Sequence, residues 1–245
     1  MNIGQRRIRR AATAILALFA LGPALALGGE TYEGLIEPSE SVKVSSHVRG
    51  TLEAVVVDRG GNVRKGQVVA RVKAEVEKAA VDLARSRVEF AERKVTRNED
   101  LYQQQLISIH EKDEMETELR IARLELKEAE ARLNMRTIRS PVNGVVVERL
   151  LSPGEFVGEE PILEIARIDP LYVEVVVPVE MFGSITRGAT AEVRPELPGS
   201  KTHTAKVVIV DRVVDAASGT FGVRLQMGNP GLRLPAGLKC RVAFP

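Results

Sequence analysis

Residues 45–72 and 139–166 carry the same pattern of landmarks, and between them the chain runs from Gly66 to Pro141 without one glycine or proline. Aligned without gaps, Val48 falls on Val142, Gly50 on Gly144, Gly60 on Gly154 and Val63 on Val157. Leu52 meets Val146, Val56 and Val57 meet Leu150 and Leu151, and Val68 and Val69 meet Ile162 and Leu163. Each copy reads as a strand, a glycine-bearing turn and a second strand. A half of this size exposes one apolar face and is marginal alone, so the two halves are expected to close on each other. The insert must then leave and return at one place, which predicts a hairpin.

The insert is rich in Ala, Leu, Glu, Lys, Arg and Gln, all good helix formers, and divides into residues 73 to about 105 and 109–136. In its second half, Met115, Leu119, Ala122, Leu126, Ala129 and Leu133 follow an unbroken 4-3-4-3-4 spacing, the seam of a coiled coil. Its first half carries two stripes, Val81, Ala84, Val88, Ala91, Val95 and Tyr102 on one, and Val76, Ala80, Leu83, Phe90 and Leu101 on the other. One stripe serves the returning helix. The other is either the broad face of a single pair or a surface for lateral contact with another copy. At 1.5 Å per residue the predicted helices are on the order of 50 Å and 40 Å long. Ser108-Ile109-His110-Glu111 has the form of a capping box and places the start of the second helix.

Arg6, Arg7, Arg9 and Arg10 precede an apolar run from Ala11 to about Leu21, a Gly22-Pro23 break and Ala24-Leu25-Ala26. This is the layout of a secretory signal cleaved after about Ala26, with an uncleaved anchor as the competing reading. Without those four arginines the formal charge of +2 becomes −2, which gives nucleic acid nothing to recognise. The chain has one cysteine, Cys240, so no internal disulfide and no lipid-bearing cysteine near the cleavage site are expected. Cys240 alternates with apolar neighbours and is predicted to be a core residue.

From Asp169 to Pro245 the sequence alternates as an antiparallel sheet does, with strands predicted at Leu171 to Val177, Ala191 to Val193, Thr202 to Val210, Phe221 to Gln226 and Leu238 to Phe244. Aromatic residues make up only 4% of the chain and there is no Trp, which favours several small cores over one large one. His47, His110 and His203 fall in different predicted modules, and no cluster with metal-ligand spacing, nucleophile motif or phosphate loop occurs. Neither an enzyme nor a bound cofactor is expected.

The order of these parts resembles the periplasmic adaptor proteins, or membrane fusion proteins, of tripartite efflux pumps, an HlyD-like family. The resemblance implies an elongated mixed α and β fold: a lipoyl-like β-sandwich split by an α-helical coiled-coil hairpin and followed by an antiparallel β-barrel. Its parts would be a signal peptide (1–26), an N-terminal strand segment (27–44), two lipoyl-like half-motifs (45–72 and 137–166), the hairpin (73–136) and the barrel (167–245). Near the predicted tip, Arg97, Leu101 and Ser108 are similar to the family pattern R-x-x-x-L-x-x-x-x-x-x-S used against a TolC-type outer-membrane channel. Arg97 and Leu101 share one helical face, and Ser108 is small enough to admit another backbone. The bland readings are a solvated Arg97, a Leu101 that closes the helix pair and a Ser108 that is only a cap.

The run from Val213 to Val242 looks like the barrel of adaptors serving resistance-nodulation-division pumps, which implies an inner-membrane partner of that class, a periplasmic location beside the inner membrane and a homo-oligomer in the assembled pump. Many such adaptors add a membrane-proximal domain built from both chain ends. Here about Gly29 to Val44 is available on the N-terminal side, so the expectation is a remnant strand on the barrel or no such domain. An adaptor of an ATP-driven exporter and a coiled-coil scaffold without transport stay open, as does the lipoyl-type swinging arm, for which Lys65 and Lys73 are poorly placed beside a helical insert.

Overall fold

The computed structural model describes residues 30–245; the leader expected at residues 1–26 lies outside them. The first half of the repeat forms β2 (Gly50–Val55), β3 (Asn62–Val63) and β4 (Val68–Val72), and the second forms β6 (Gly144–Arg149), β7 (Phe156–Val157) and the start of β8 (Leu163–Pro178). Each copy therefore has three strand segments rather than two, and the halves do more than stack. Gly50 pairs with Val157 between β2 and β7, and Gly144 pairs with Val63 between β6 and β3. These four residues are two sets of repeat equivalents, so each half lends its middle strand to the other.

The hydrogen bonds repeat the exchange. Gly60 N–H donates to the Val146 carbonyl at 2.8 Å, and its equivalent Gly154 N–H donates to the Leu52 carbonyl at 2.9 Å. Gly60 and Gly154 turn with φ of 79° and 93°, the left-handed region that a Cβ disfavours. Ser46 and Ser140 each donate their hydroxyl to the carbonyl two residues on, both at 2.7 Å. Between the sheets lies one core of Leu52, Val63, Val69, Val72, Ile138, Val146, Val157, Ile162, Leu163 and Ile165. Burying each such side chain stabilises by roughly 1.5–3 kcal/mol, and neither half owns enough of them to stand alone.

A second body begins with β1 (Thr31–Val44) and continues along β8, β9 (Thr190–Pro195), β10 (His203–Val210), β11 (Thr220–Met227) and β12 (Leu238–Ala243). The strand order β1-β12-β9-β10-β11-β8 closes because β1 also pairs with β8, giving a six-stranded antiparallel barrel without a free edge. The strand expected as a remnant on the barrel is thus a stave of it. Alternate residues fill the interior, with Val173, Val175, Val193, Phe221, Val223, Leu225, Cys240 and Val242 buried. β1 and β8 pair on past the barrel, from Gly34↔Val175 to Val44↔Leu163, with a register shift between Pro38 and Glu40. Two continuous strands therefore join barrel and sandwich.

The insert forms α1 (Glu75–Gln103) and α2 (Ile109–Met135), which leave β4 and return to β5 (Thr137–Arg139). With 29 residues α1 is about 43 Å long, shorter than the 50 Å expected, because β4 and its turn reach to Ala74 and the tip turn starts at Gln104. Val81, Ala84, Val88 and Ala91 of α1 are buried, and Val88 and Ala91 pack against Ala122, with Leu119 and Leu126 alongside. Within α2 the residues shielded from solvent are Lys112, Met115, Leu119, Ala122, Leu126, Ala129 and Leu133. From Met115 to Leu133 these shielded residues are the positions of the predicted stripe, and Lys112 extends it one step earlier.

Candidate functional site

The end of the hairpin farthest from the sandwich is built by two caps. At the end of α1, Leu106 N–H donates to the Leu101 carbonyl and Gln105 N–H to the Tyr102 carbonyl, both at 2.9 Å, with Gln105 at φ 60°. This is the Schellman termination, with glutamine where glycine is usual. A non-glycine residue held there stores of order 1 kcal/mol or more, which the surrounding turn must offset. At the start of α2, Ser108 Oγ accepts from Glu111 N–H at 3.2 Å while Ser108 N–H donates to Glu111 Oε2 at 2.7 Å, completing the capping box. The Ser108 backbone N–H, then its hydroxyl, lower the Glu111 pKa.

A latch crosses the helices just below. Lys112 Nζ lies 3.2 Å from Glu99 Oε2 and 4.5 Å from the centroid of the Tyr102 ring, with Glu116 at 3.9 Å. The hydrogen bond that Lys112 donates to Glu99, reinforced by the charges of Glu99 and Glu116, raises the Lys112 pKa and keeps the ammonium charged. Sequence reasoning missed this group. Its signal was that Lys112 stands three residues before Met115 and so continues the apolar seam.

The three residues singled out from sequence have different settings. Arg97 is exposed, beside Arg93 and Thr96, and no carboxylate among the described residues forms an ion pair with it. It lies six residues before the end of α1, about 9 Å along the axis. Leu101 is half-buried and its carbonyl holds the turn. The exposed apolar side chains at the turn are Leu106 and Ile109, 66% and 57% exposed, which sequence reasoning left out although Leu106-Ile107-x-Ile109 is an apolar run at a turn. The Ser108 hydroxyl is engaged on both sides, donating to Glu111 Oε2 at 2.9 Å as well as accepting, so its site is structural before it is anything else.

The long edges of the hairpin differ. On one, Val76, Leu83 and Phe90 recur every seven residues on α1, at 78%, 58% and 55% exposure, and line two adjoining shallow grooves that share Leu83, the second of them with Ile121 of α2. Arg97 is the next seven-residue step, so the groove edge leads to the tip. Ion pairs Arg87–Glu125 at 2.9 Å and Lys94–Glu118 at 2.6 Å bridge the helices there. The opposite edge carries Arg85, Glu92 and Glu99 with Glu116, Arg123 and Glu130, and has no apolar side chain at those positions.

Among the described residues, no three His, Cys, Asp or Glu side chains gather as a metal site, and no helix is long and apolar enough to cross a membrane. A barrel and a pseudo-symmetric sandwich thus carry a two-helix arm whose end offers two caps, a latch and uncovered apolar side chains. Residues 40–166 match the family described as CzcB-like, barrel-sandwich hybrid domain, and the chain belongs to it. It is similar to the efflux pump periplasmic linker BepD of Brucella suis, 25% identical over 84% of this chain and 60% of that protein. Among solved structures, a MacA–MexA chimera containing the Pseudomonas aeruginosa MexA α-hairpin superposes with a TM-score of 0.74 at 18% identity, covering 88% of this chain and 80% of that one. The membrane fusion protein Spr0693 of Streptococcus pneumoniae does so at 0.69 and 16%, covering 88% and 98%. The chain spans between 53% and 60% of the length of the curated relatives it matches.

Proposed function

We propose that the protein is a periplasmic adaptor of a tripartite efflux system, linking an inner-membrane transporter of the resistance-nodulation-division class to a TolC-type outer-membrane channel. In this reading residues 45–72 and 137–166 are lipoyl-like halves, 73–136 a coiled-coil hairpin and 167–245, with the strand before residue 45, the barrel that faces the pump. The observation that carries it is the tip: unpaired Arg97 and exposed Leu106 and Ile109 at the end of an arm about 40 Å long. A guanidinium offers a fork of charged donors and the two apolar side chains an anchor, a combination suited to another protein's polar and apolar loops. The name of BepD as an efflux pump periplasmic linker supports the reading. The groove of Leu83, Phe90 and Ile121 supplies a lateral surface for further copies, and several tips in one ring would multiply a weak contact through avidity.

Transport measured beside helicity tests it. Arg97→Asp and Leu106→Asp change exposed side chains and are expected to abolish efflux with the circular dichroism spectrum unchanged. Leu101→Asp is expected to abolish efflux too, with some loss of tip order because Leu101 is half-buried. Normal efflux by Arg97→Asp and Leu106→Asp together would remove the tip from the mechanism.

A further inference from the structure

Gly50 and Gly144 are repeat equivalents, and both lack room for a Cβ, but what fills the space differs. At Gly144 it is the backbone of Ala166, with the carbonyl oxygen 2.2 Å from an ideal Cβ. At Gly50 it is a side chain from the hairpin: Arg136 Nη1 and Val72 Cγ1 would each stand 2.7 Å away. Arg136 follows the last residue of α2 as its C-cap. Its Nη2 donates to Glu77 Oε1 of α1 at 2.5 Å and its Nη1 to the Arg49 carbonyl at 3.0 Å. Its own carbonyl accepts from Val72 N–H at 2.9 Å. One residue thus ties the end of α2, the first turn of α1, the end of β4 and the residue that precedes β2.

Two further observations single this group out. Its ion pair is the most shielded among the described residues, with side chains 21% and 17% exposed. Arg136 is also the only residue of the span 75–136, among those described, whose side chain hydrogen-bonds or ion-pairs with the β strands or their connections. Two short backbone joints connect the arm to the β body, and Ala74, the N-cap of α1, supplies no side-chain cap. A lever mounted this way is free to tilt unless something at its root is fixed. A rotation of about 10° there carries a tip about 40 Å away through roughly 7 Å, enough to miss a partner.

We propose that Arg136, seated in the space left by Gly50 and gripping Glu77 and the Arg49 carbonyl, is the positioning residue that sets the direction of the hairpin. The guanidinium fork is what the site requires, since one head must reach a carboxylate on one helix and a carbonyl on the β body in two directions at once. A lysine has a single point of attachment and would keep one contact. The inference rests on the tip being the working end, but its own consequence is mechanical.

The experiment reads direction and not transport alone. Spin labels on Glu53→Cys, in the β body, and Gln104→Cys, at the tip, report a distance distribution in the full-length protein; both positions are exposed, and Cys240 is 1% exposed and stays unlabelled. In the parent a single narrow distribution is expected. Arg136→Ala and Glu77→Ala should each broaden it at least about twofold, with helicity retained, and Arg136→Lys should fall between. Glu77→Ala keeps the arginine in its seat, so it remains informative if Arg136→Ala fails to fold. Unchanged distributions in Glu77→Ala and Arg136→Lys would overturn the proposal. Broadened distributions with normal efflux by the tip variants would leave the clamp standing and remove the tip reading, so the two failures are distinguishable.

Discussion

The matched glycines of the repeat make the sharpest stability prediction. Adding one methyl at Gly144 sets a carbon 2.2 Å from the Ala166 carbonyl oxygen and 2.8 Å from its carbon, where contact normally begins beyond 3 Å. Neither side can yield easily. Gly144 pairs with Val63, and the next residue, Val145, pairs with Ala166, so separating them opens the ladder that couples the two halves. Gly144→Ala is therefore expected to cost about 3 kcal/mol or more, at or above the upper end for overpacking. At Gly50 the obstacles are side-chain atoms, Arg136 Nη1 and Val72 Cγ1, which can withdraw, so Gly50→Ala should cost about 1–2 kcal/mol. At Gly60 nothing lies within 4 Å and only the φ of 79° objects, which costs about 1 kcal/mol. Urea denaturation with Glu148→Ala as the exposed control on the same strand gives the order Gly144, Gly50, Gly60. A Gly144→Ala protein within about 1 kcal/mol of the control, or more stable than Gly50→Ala, would refute the close-approach argument.

Gln105→Gly should stabilise the tip turn by about 1 kcal/mol, because glycine accepts the left-handed conformation that glutamine is forced into; slower amide exchange at Leu106 would show it. Ser108→Ala should destabilise the start of α2 by about 1 kcal/mol through loss of the cap. The Glu111 side of that box is pH-dependent in a set direction. Its folded pKa is lowered, so its contribution is fully present above the ordinary carboxylate value of 4.5 and is lost as pH falls through the folded value. Glu111→Gln is therefore expected to show a helicity deficit at neutral pH that vanishes in acid. Burial, with a smaller push from Glu196, raises the Cys240 thiol to about 11, so an aromatic disulfide reagent should find no reactive thiol in the native protein and one after unfolding.

Much of this could be read from the sequence because backbone demands leave marks there. Gly50, Gly60, Gly144 and Gly154 announced the repeat, a long absence of glycine and proline announced the helices, and Ser108 with Glu111 marked where the second begins. Partner choice leaves no such mark. Period-2 alternation says that Val63 and Val157 face a core but not that each pairs in the opposite half, and nothing in Thr31–Val44 says that one strand serves both barrel and sandwich. At the tip, Gln105 in a glycine conformation is invisible because the usual signal is the glycine itself. Lys112 and Arg136 leave no mark either, since their roles depend on Tyr102, Glu99, Glu77 and Gly50 meeting them in space.

The central claim is that the end of the hairpin meets an outer-membrane channel, and site-specific photocrosslinking in cells tests it most directly. A photoreactive residue placed at Arg97 or Leu106 is expected to capture an outer-membrane channel protein, identified by mass spectrometry. The same residue at Arg85, on the polar edge away from the tip, should not. Capture of the channel equally from Arg85, or only of other copies of this chain from Arg97 and Leu106, would contradict the account.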